Sequence, residues 1–243
     1  MRRQPGLPSL RLPSVRALLV IAVLAGPSLG SARAQVAPSA SEIAAYRGLH
    51  GAAERGDSAT IRRLAAISPK PALDDRDGHG RTPLHVAVFA RQRDAALALI
   101  RAGADTALLD DDRYDAVTIA AVADDEQTLR VLLGTGASAR LVTSRYDGTA
   151  LIAAAHLGHA GVVGQLIDAG APLDHVNNLH WTALIEAVVL GDGGARHRAT
   201  VALLLKAGAS TRLADRDGRT PLQLARERGY HEIVAMLESA DRR

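Results

Sequence analysis

The sequence predicts an all-α solenoid of about six stacked helix-turn-helix units with β-turn tips. Three observations carry this expectation. A leucine-like position recurs at Leu49, Leu84, Val117, Leu151, Leu184 and Leu222, at spacings of 35, 33, 34, 33 and 38 residues, and such a period marks a repeat architecture. Three residues after each stands an alanine: Ala52, Ala87, Ala120, Ala154, Ala187 and Ala225. That alanine lies one helical turn on, on the same face, where a small side chain lets a neighbouring helix approach. Finally, only 2% of residues are aromatic against 47% hydrophobic, which favours thin, closely packed helices over an aromatic-rich sheet sandwich.

Each unit reads as two helices. The first opens on Thr and in two units Pro, as in Thr82-Pro83-Leu84-His85 and Thr220-Pro221-Leu222-Gln223. A Thr hydroxyl caps free backbone N–H groups, and Pro fits the first turn because its missing N–H is not needed there. The second helix carries an apolar stripe at i, i+3 and i+4, as in Leu129, Leu132 and Leu133 or Val201, Leu204 and Leu205, one face to bury. It ends at Gly103-Ala104, Gly136-Ala137, Gly170-Ala171 and Gly208-Ala209, where Gly supplies the left-handed residue that stops a helix. Asp/Gly-rich turns such as Asp215-Arg216-Asp217-Gly218 lead to the next Thr.

These motifs, Thr-Pro-Leu-His and the terminal Gly-Ala above all, resemble the ankyrin repeat family over roughly residues 42–240. Two copies are looser: Asp115-Ala116 replaces Thr-Pro before Val117, and the unit at Leu49 lacks the Gly-Ala ending. The organisation that follows is a signal peptide over 1–34, a flexible lead-in over 35–41, and repeats over 42–76 (a divergent N-terminal cap), 77–109, 110–143 (divergent), 144–176, 177–214 and 215–243 (the C-terminal cap). The fifth repeat contains a five-residue insertion within 191–198, either an ordered contact loop or slack. Glu238 and Ser239 give the last unit the polar outer face that a terminal cap needs.

The leader is read from its layout. Five arginines and no acid precede or flank the apolar run Ala17–Ala25, and small residues follow up to Ala32-Arg33-Ala34, an A-x-A cleavage site. Nine apolar residues are about half of what a membrane-spanning helix needs. Removing the leader takes the formal charge from +3 to −2, so the chain left behind has no overall electrostatic pull toward phosphate backbones. The expectation is a periplasmic or secreted protein, monomeric, with no nucleic acid partner and no stable membrane insertion. Having no Cys, it has no thiolate metal site, cysteine nucleophile or disulfide.

Catalytic signatures are weak. His156 and His159 form H-x-x-H, with His175, His180 and His197 further on, but no set has zinc-like spacing. The resemblance implies structural roles for His85 and His159. Asp74, Asp75 and Asp77 resemble the start of a calcium loop, yet its twelfth position is His85 rather than Glu, and the recurring Asp-x-Asp-Gly argues for turn chemistry. No catalytic residue, metal site or cofactor is predicted. A metal- or carboxylate-dependent enzyme on a helical scaffold, and a cytosolic regulator with an uncleaved N-terminus, stand as alternatives.

The resemblance also implies a concave face built from turn tips and exposed first-helix positions, used to hold a protein partner. Four of the six aromatics fall in those slots: Phe89, Tyr114, Tyr146 and Trp181. At Tyr146 the Asp147-Gly148-Thr149 run shifts the usual glycine by one place. Leu157, Leu179 and Leu190 widen the apolar character, and Arg81 and Arg219 are slot arginines. Aromatics beside arginines are the residue types that dominate binding energy, so these nine residues are the candidate protein-binding set. Packing between adjacent tips is the competing explanation for the aromatics.

Overall fold

A computed structural model describes residues 35–67 and 70–242. The leader expected over 1–34 lies outside the described residues. Thirteen α-helices occur among them: α1 Ala40–Ala45, α2 Gly48–Glu54, α3 Ser58–Ile67, α4 Pro83–Phe89, α5 Arg93–Ala102, α6 Ala116–Val122, α7 Glu126–Gly134, α8 Ala150–Leu157, α9 Ala160–Asp168, α10 Ala183–Val189, α11 Ala195–Lys206, α12 Pro221–Glu227 and α13 His231–Asp241. From α2 onward they form six antiparallel pairs. Each first helix packs on the next first helix and each second helix on the next second, giving two layers around one core.

The core is what the period encodes. All six phased alanines are fully buried, with Leu84, Leu151, Leu184, Leu129, Leu166 and Leu204 beside them. One pair could not bury its stripe alone; stacking makes the stripes continuous. Thr82, Thr149, Thr182 and Thr220 cap α4, α8, α10 and α12, each accepting from the backbone N–H three residues on. In the divergent unit Asp115 does the same for α6. Gly103 closes α5 in the left-handed region at φ 99°, free of the Cβ clash that other residues meet there.

Two details depart from the sequence expectation, at the lead-in and at the fourth tip, and the turns between paired helices add a third. Helix α1 begins at Ala40, inside the lead-in, because Ser39 and Glu42 form a capping box. The turn between helices is left-handed at Gly56, Gly158 and Gly229, but in the second and third units Arg91 and Asp124 adopt it, at φ 55° and 53°. Tyr146 keeps its tip register: Asp147 takes the left-handed place at φ 52° that Gly80 and Gly218 hold in other tips. The extra residue of the preceding unit, 110–143, is absorbed where it joins this tip: Thr143 pairs with Gly148 as an isolated antiparallel bridge and Ser144 sits at φ 63°.

The insertion is an ordered strap. It extends α11 backward to Ala195 and sets that helix against α8 of the preceding unit. Arg196 Nη2 donates to Asp124 Oδ2 at 2.7 Å, in the third unit. His197 Nε2 lies 3.0 Å from the His156 carbonyl of the fourth. Arg198 Nη1 donates to Glu232 Oε2 at 3.1 Å, and Tyr230 Oη to the Gly191 carbonyl at 2.8 Å, both in the sixth. One loop thus ties four units together.

Candidate interaction face on the tips and first helices

Five tips repeat one hydrogen-bonding scheme. Five residues before the capping position stands Asp77, Asp110, Ser144, Asn177 or Asp215, whose side-chain oxygen accepts two backbone N–H groups, two and four residues on. The acidic tips are therefore turn chemistry, each carboxylate held by its own loop. Among the described residues no group of three or more His or acidic side chains could hold a metal ion.

Neighbouring tips are laced together. The Asp111 N–H donates to the His79 carbonyl at 3.0 Å and the Asn178 N–H to the Tyr146 carbonyl at 2.9 Å. Arg145 Nη2 pairs with Asp112 at 2.5 Å, and Arg216 Nη2 donates to the Asn178 carbonyl at 2.9 Å. Histidines stitch the first helices. His85 Nδ1 accepts from the Thr82 N–H at 3.1 Å while Nε2 donates to the Tyr114 carbonyl at 3.1 Å, the pattern of a neutral ring. Burial pushes His85 down to about 4. His159 Nδ1 donates to the Ala121 carbonyl at 2.9 Å. The structural roles implied for both histidines are thus visible as inter-unit hydrogen bonds.

On this scaffold the candidate residues separate. Tyr146, Leu157 and Leu179 are exposed. Trp181, half-buried and packed against the core, and Leu190, half-buried, stand beside them in sequence and register. Units four and five therefore gather five of the nine. Phe89 and Tyr114 are half-buried against the core nearer the N-terminal end, and burial raises the Tyr114 hydroxyl above its ordinary value. Arg219 sits on the last unit, half-exposed and paired with Asp215, Asp217 and Glu227.

Arg81 is a correction. It occupies a slot expected to be open, yet its side chain is completely buried. Its Nε donates to Asp77 Oδ2 at 2.7 Å, and Nη2 pairs with Glu42 of α1. The cap helix brings Glu42 onto the second tip, so Arg81 holds the N-terminal cap in place and presents nothing to a partner.

Two residues outside the candidate set pair beside it. Glu186, on α10, is almost fully buried, and Asn177 Nδ2 donates to its Oε1 at 3.0 Å. His156 Nδ1, on α8, lies 3.3 Å from Glu186 Oε2. The sequence carried a signal for Glu186: it is a carboxylate in the phase where the other units place Gly51, Val86, Ile119, Ala153 and Leu224.

Comparison with known proteins agrees with this architecture. A profile described as ankyrin repeats (3 copies) matches residues 117–211, and the ankyrin repeat profile matches 79–111 and 217–242, together more than half of the chain. The ankyrin repeat protein YahD of Escherichia coli is 36% identical over 190 residues, covering 78% of this chain and 93% of that one. A crystal structure of an ankyrin repeat domain from Acinetobacter baumannii superposes with a TM-score of 0.74 at 46% identity, covering 79% of this chain and 97% of that one. The ankyrin repeat domain of Bcl-3, a member of the IkappaB family, gives 0.71 at 28% identity over 80% and 86% of the two chains. The phased alanines, the capped first helices and these matches agree: the chain belongs to the ankyrin repeat family, whose repeats serve as scaffolds for protein–protein interaction.

Proposed function

We infer that this chain is an exported, non-enzymatic scaffold that holds a partner protein against the tips and first helices of its central units. One observation carries the location. Of the seven large hydrophobic side chains exposed among the described residues, five fall between Val142 and Leu179: Val142, Tyr146, Leu157, Val176 and Leu179. Exposed apolar side chains concentrated in two adjacent units among polar tips mark an interaction surface, and Trp181 and Leu190 of the fifth unit supply anchor chemistry. The tips are cross-linked by hydrogen bonds and ion pairs, so the patch is pre-organised and little ordering entropy is lost on binding.

Export is supported by the basic stretch, apolar run and small-residue cleavage site of the first 34 residues. Identification of the mature N-terminus tests it: a start at Gln35 supports export, and a start at Met1 removes that part of the reading. The binding face is tested by affinity capture from the native compartment with Trp181→Ala as the control, its fold checked by circular dichroism. A folded variant that captures the same partner as well as the wild type removes the proposed face.

A further inference from the structure

The fifth unit places a carboxylate where its neighbours place aliphatics. Four residues after the capping position stand Val86, Ile119 and Leu224, all buried, and in the fourth unit the half-buried Ala153; in the same phase of the fifth unit stands Glu186, 4% exposed. Its Oε1 is held by Asn177 Nδ2. Its Oε2 accepts no hydrogen bond among the described residues, with His156 Nδ1 3.3 Å away. A buried carboxylate without full hydrogen bonding costs more than a well-packed aliphatic in the same place. The fold therefore gives up stability here, and sites that break the local rule of a repeat are where function is built in.

The surroundings say what the carboxylate is for. It stands on α10 and faces α8, with the His156 side chain, 48% exposed, across it. For a partner to reach Oε2, His156 has to turn outward, a side-chain rotation of the kind common at interfaces. Leu190, the C-cap of α10, follows one turn after Glu186, Leu157 follows His156, and Leu179 and Trp181 belong to the loop that Asn177 anchors. An apolar and aromatic rim over an incompletely satisfied carboxylate matches one side chain closely. The methylenes and planar guanidinium of arginine suit the rim, and its fork of N–H donors suits the carboxylate. The arginines of the flanking tips are engaged elsewhere, Arg145 with Asp112 and Arg216 with the Asn178 carbonyl.

We propose that Glu186 is the floor of a receptor for an arginine side chain of the partner, with Leu157, Leu179, Trp181 and Leu190 as its rim. This rests on the protein-binding reading above and adds the partner's chemistry to it.

Selection of a displayed random-peptide library on the full chain tests the proposal. Binding is followed by the fluorescence of Trp181, the chain's single tryptophan. The wild type enriches peptides with an arginine at one fixed position. Replacing that arginine by neutral citrulline weakens binding by about tenfold or more, and Glu186→Gln loses a similar factor. Glu186→Leu, its fold checked by circular dichroism, loses the arginine preference. Enriched peptides that bind equally with arginine or citrulline overturn the receptor but leave the binding face standing. A folded Glu186→Leu chain that keeps the arginine preference also overturns it. If the wild type enriches no peptide, the receptor and the reading beneath it both fall.

Discussion

Arg81 Nε lies 2.7 Å from Asp77 Oδ2, and the same pair recurs in the last unit between Arg219 and Asp215 at 2.8 Å. In each case the arginine stands four residues after a tip aspartate whose other oxygen is tied to backbone N–H groups. The third unit has Asp110 in the same register, but Tyr114 in the arginine's place. Burial alone would raise all three carboxyls. At Asp77 the hydrogen bonds from Tyr46, from its own loop and from Arg81 outweigh it and hold the group down to about 2. At Asp215 they outweigh it as well. At Asp110, with no cation in that position, burial wins and the carboxyl is raised.

Asp77→Asn and Asp110→Asn are therefore expected to differ. The first leaves the buried Arg81 guanidinium with Glu42 as its remaining carboxylate partner and costs about 2–4 kcal/mol at neutral pH, the lower end reflecting that partner. The second is expected within about 0.5 kcal/mol of the wild type, since Asn177 fills the same position and accepts the same two N–H groups. Urea unfolding at pH 7 checks both. The sign also predicts a pH effect: Asp77's contribution is present above the ordinary carboxylate range and fades as pH falls toward 2. Asp77→Asn shows a flatter acid limb.

His85 gives an opposite window. Its folded form stays neutral down to about 4 while the unfolded chain takes up a proton near 6.5, so stability falls as pH drops between those values. His85→Gln removes this dependence and keeps the cap, because Gln223 already forms the same capping box in the last unit. The stability difference between wild type and variant is expected to change by on the order of 1–3 kcal/mol from pH 7 to pH 4. Parallel curves would refute this role for His85.

At the cap of α6, burial raises the Asp115 carboxyl above its ordinary value despite the hydrogen bonds from Thr118. A carboxylate whose folded pKa is raised costs stability above the unfolded pKa, and the cost disappears in acid. Asp115→Thr, the residue used at four equivalent caps, is expected to raise the melting temperature by about 2–4 °C at pH 7 and by less at pH 4. Thermal melts at the two pH values decide it.

Gly158 and Gly229 share a φ of 69°, so an alanine at either position bears the same backbone strain, roughly 1 kcal/mol. They differ in what lies over them. A Cβ at Gly158 meets His197 at 3.1 Å and Arg196 at 3.3 Å, whereas nothing lies within 4 Å of one at Gly229. Gly158→Ala is expected to cost about 1 kcal/mol more than Gly229→Ala, and the excess measures the strap. Equal losses in denaturant unfolding would show that the strap yields freely.

The sequence by itself determined the repeat, the helix pairs, their caps and the core. Leu84 and Ala87, three residues apart, share a face whatever lies elsewhere in the chain, and Thr82 can cap only its own helix. Such relationships are local, and a fixed period repeats them into a stack. Only the tertiary structure decided which slots are open. Arg81 and Arg219 have the same local sequence context, yet one is buried because Glu42, 39 positions earlier, folds over it, and the other stays half-exposed at the end of the stack. The same is true of the insertion, whose Arg196 finds Asp124 at a separation of 72 residues, and of Glu186 facing His156 across two helices. Periodicity fixes which face of a helix turns inward; the exposure of a polar group depends on which distant segment comes to lie over it.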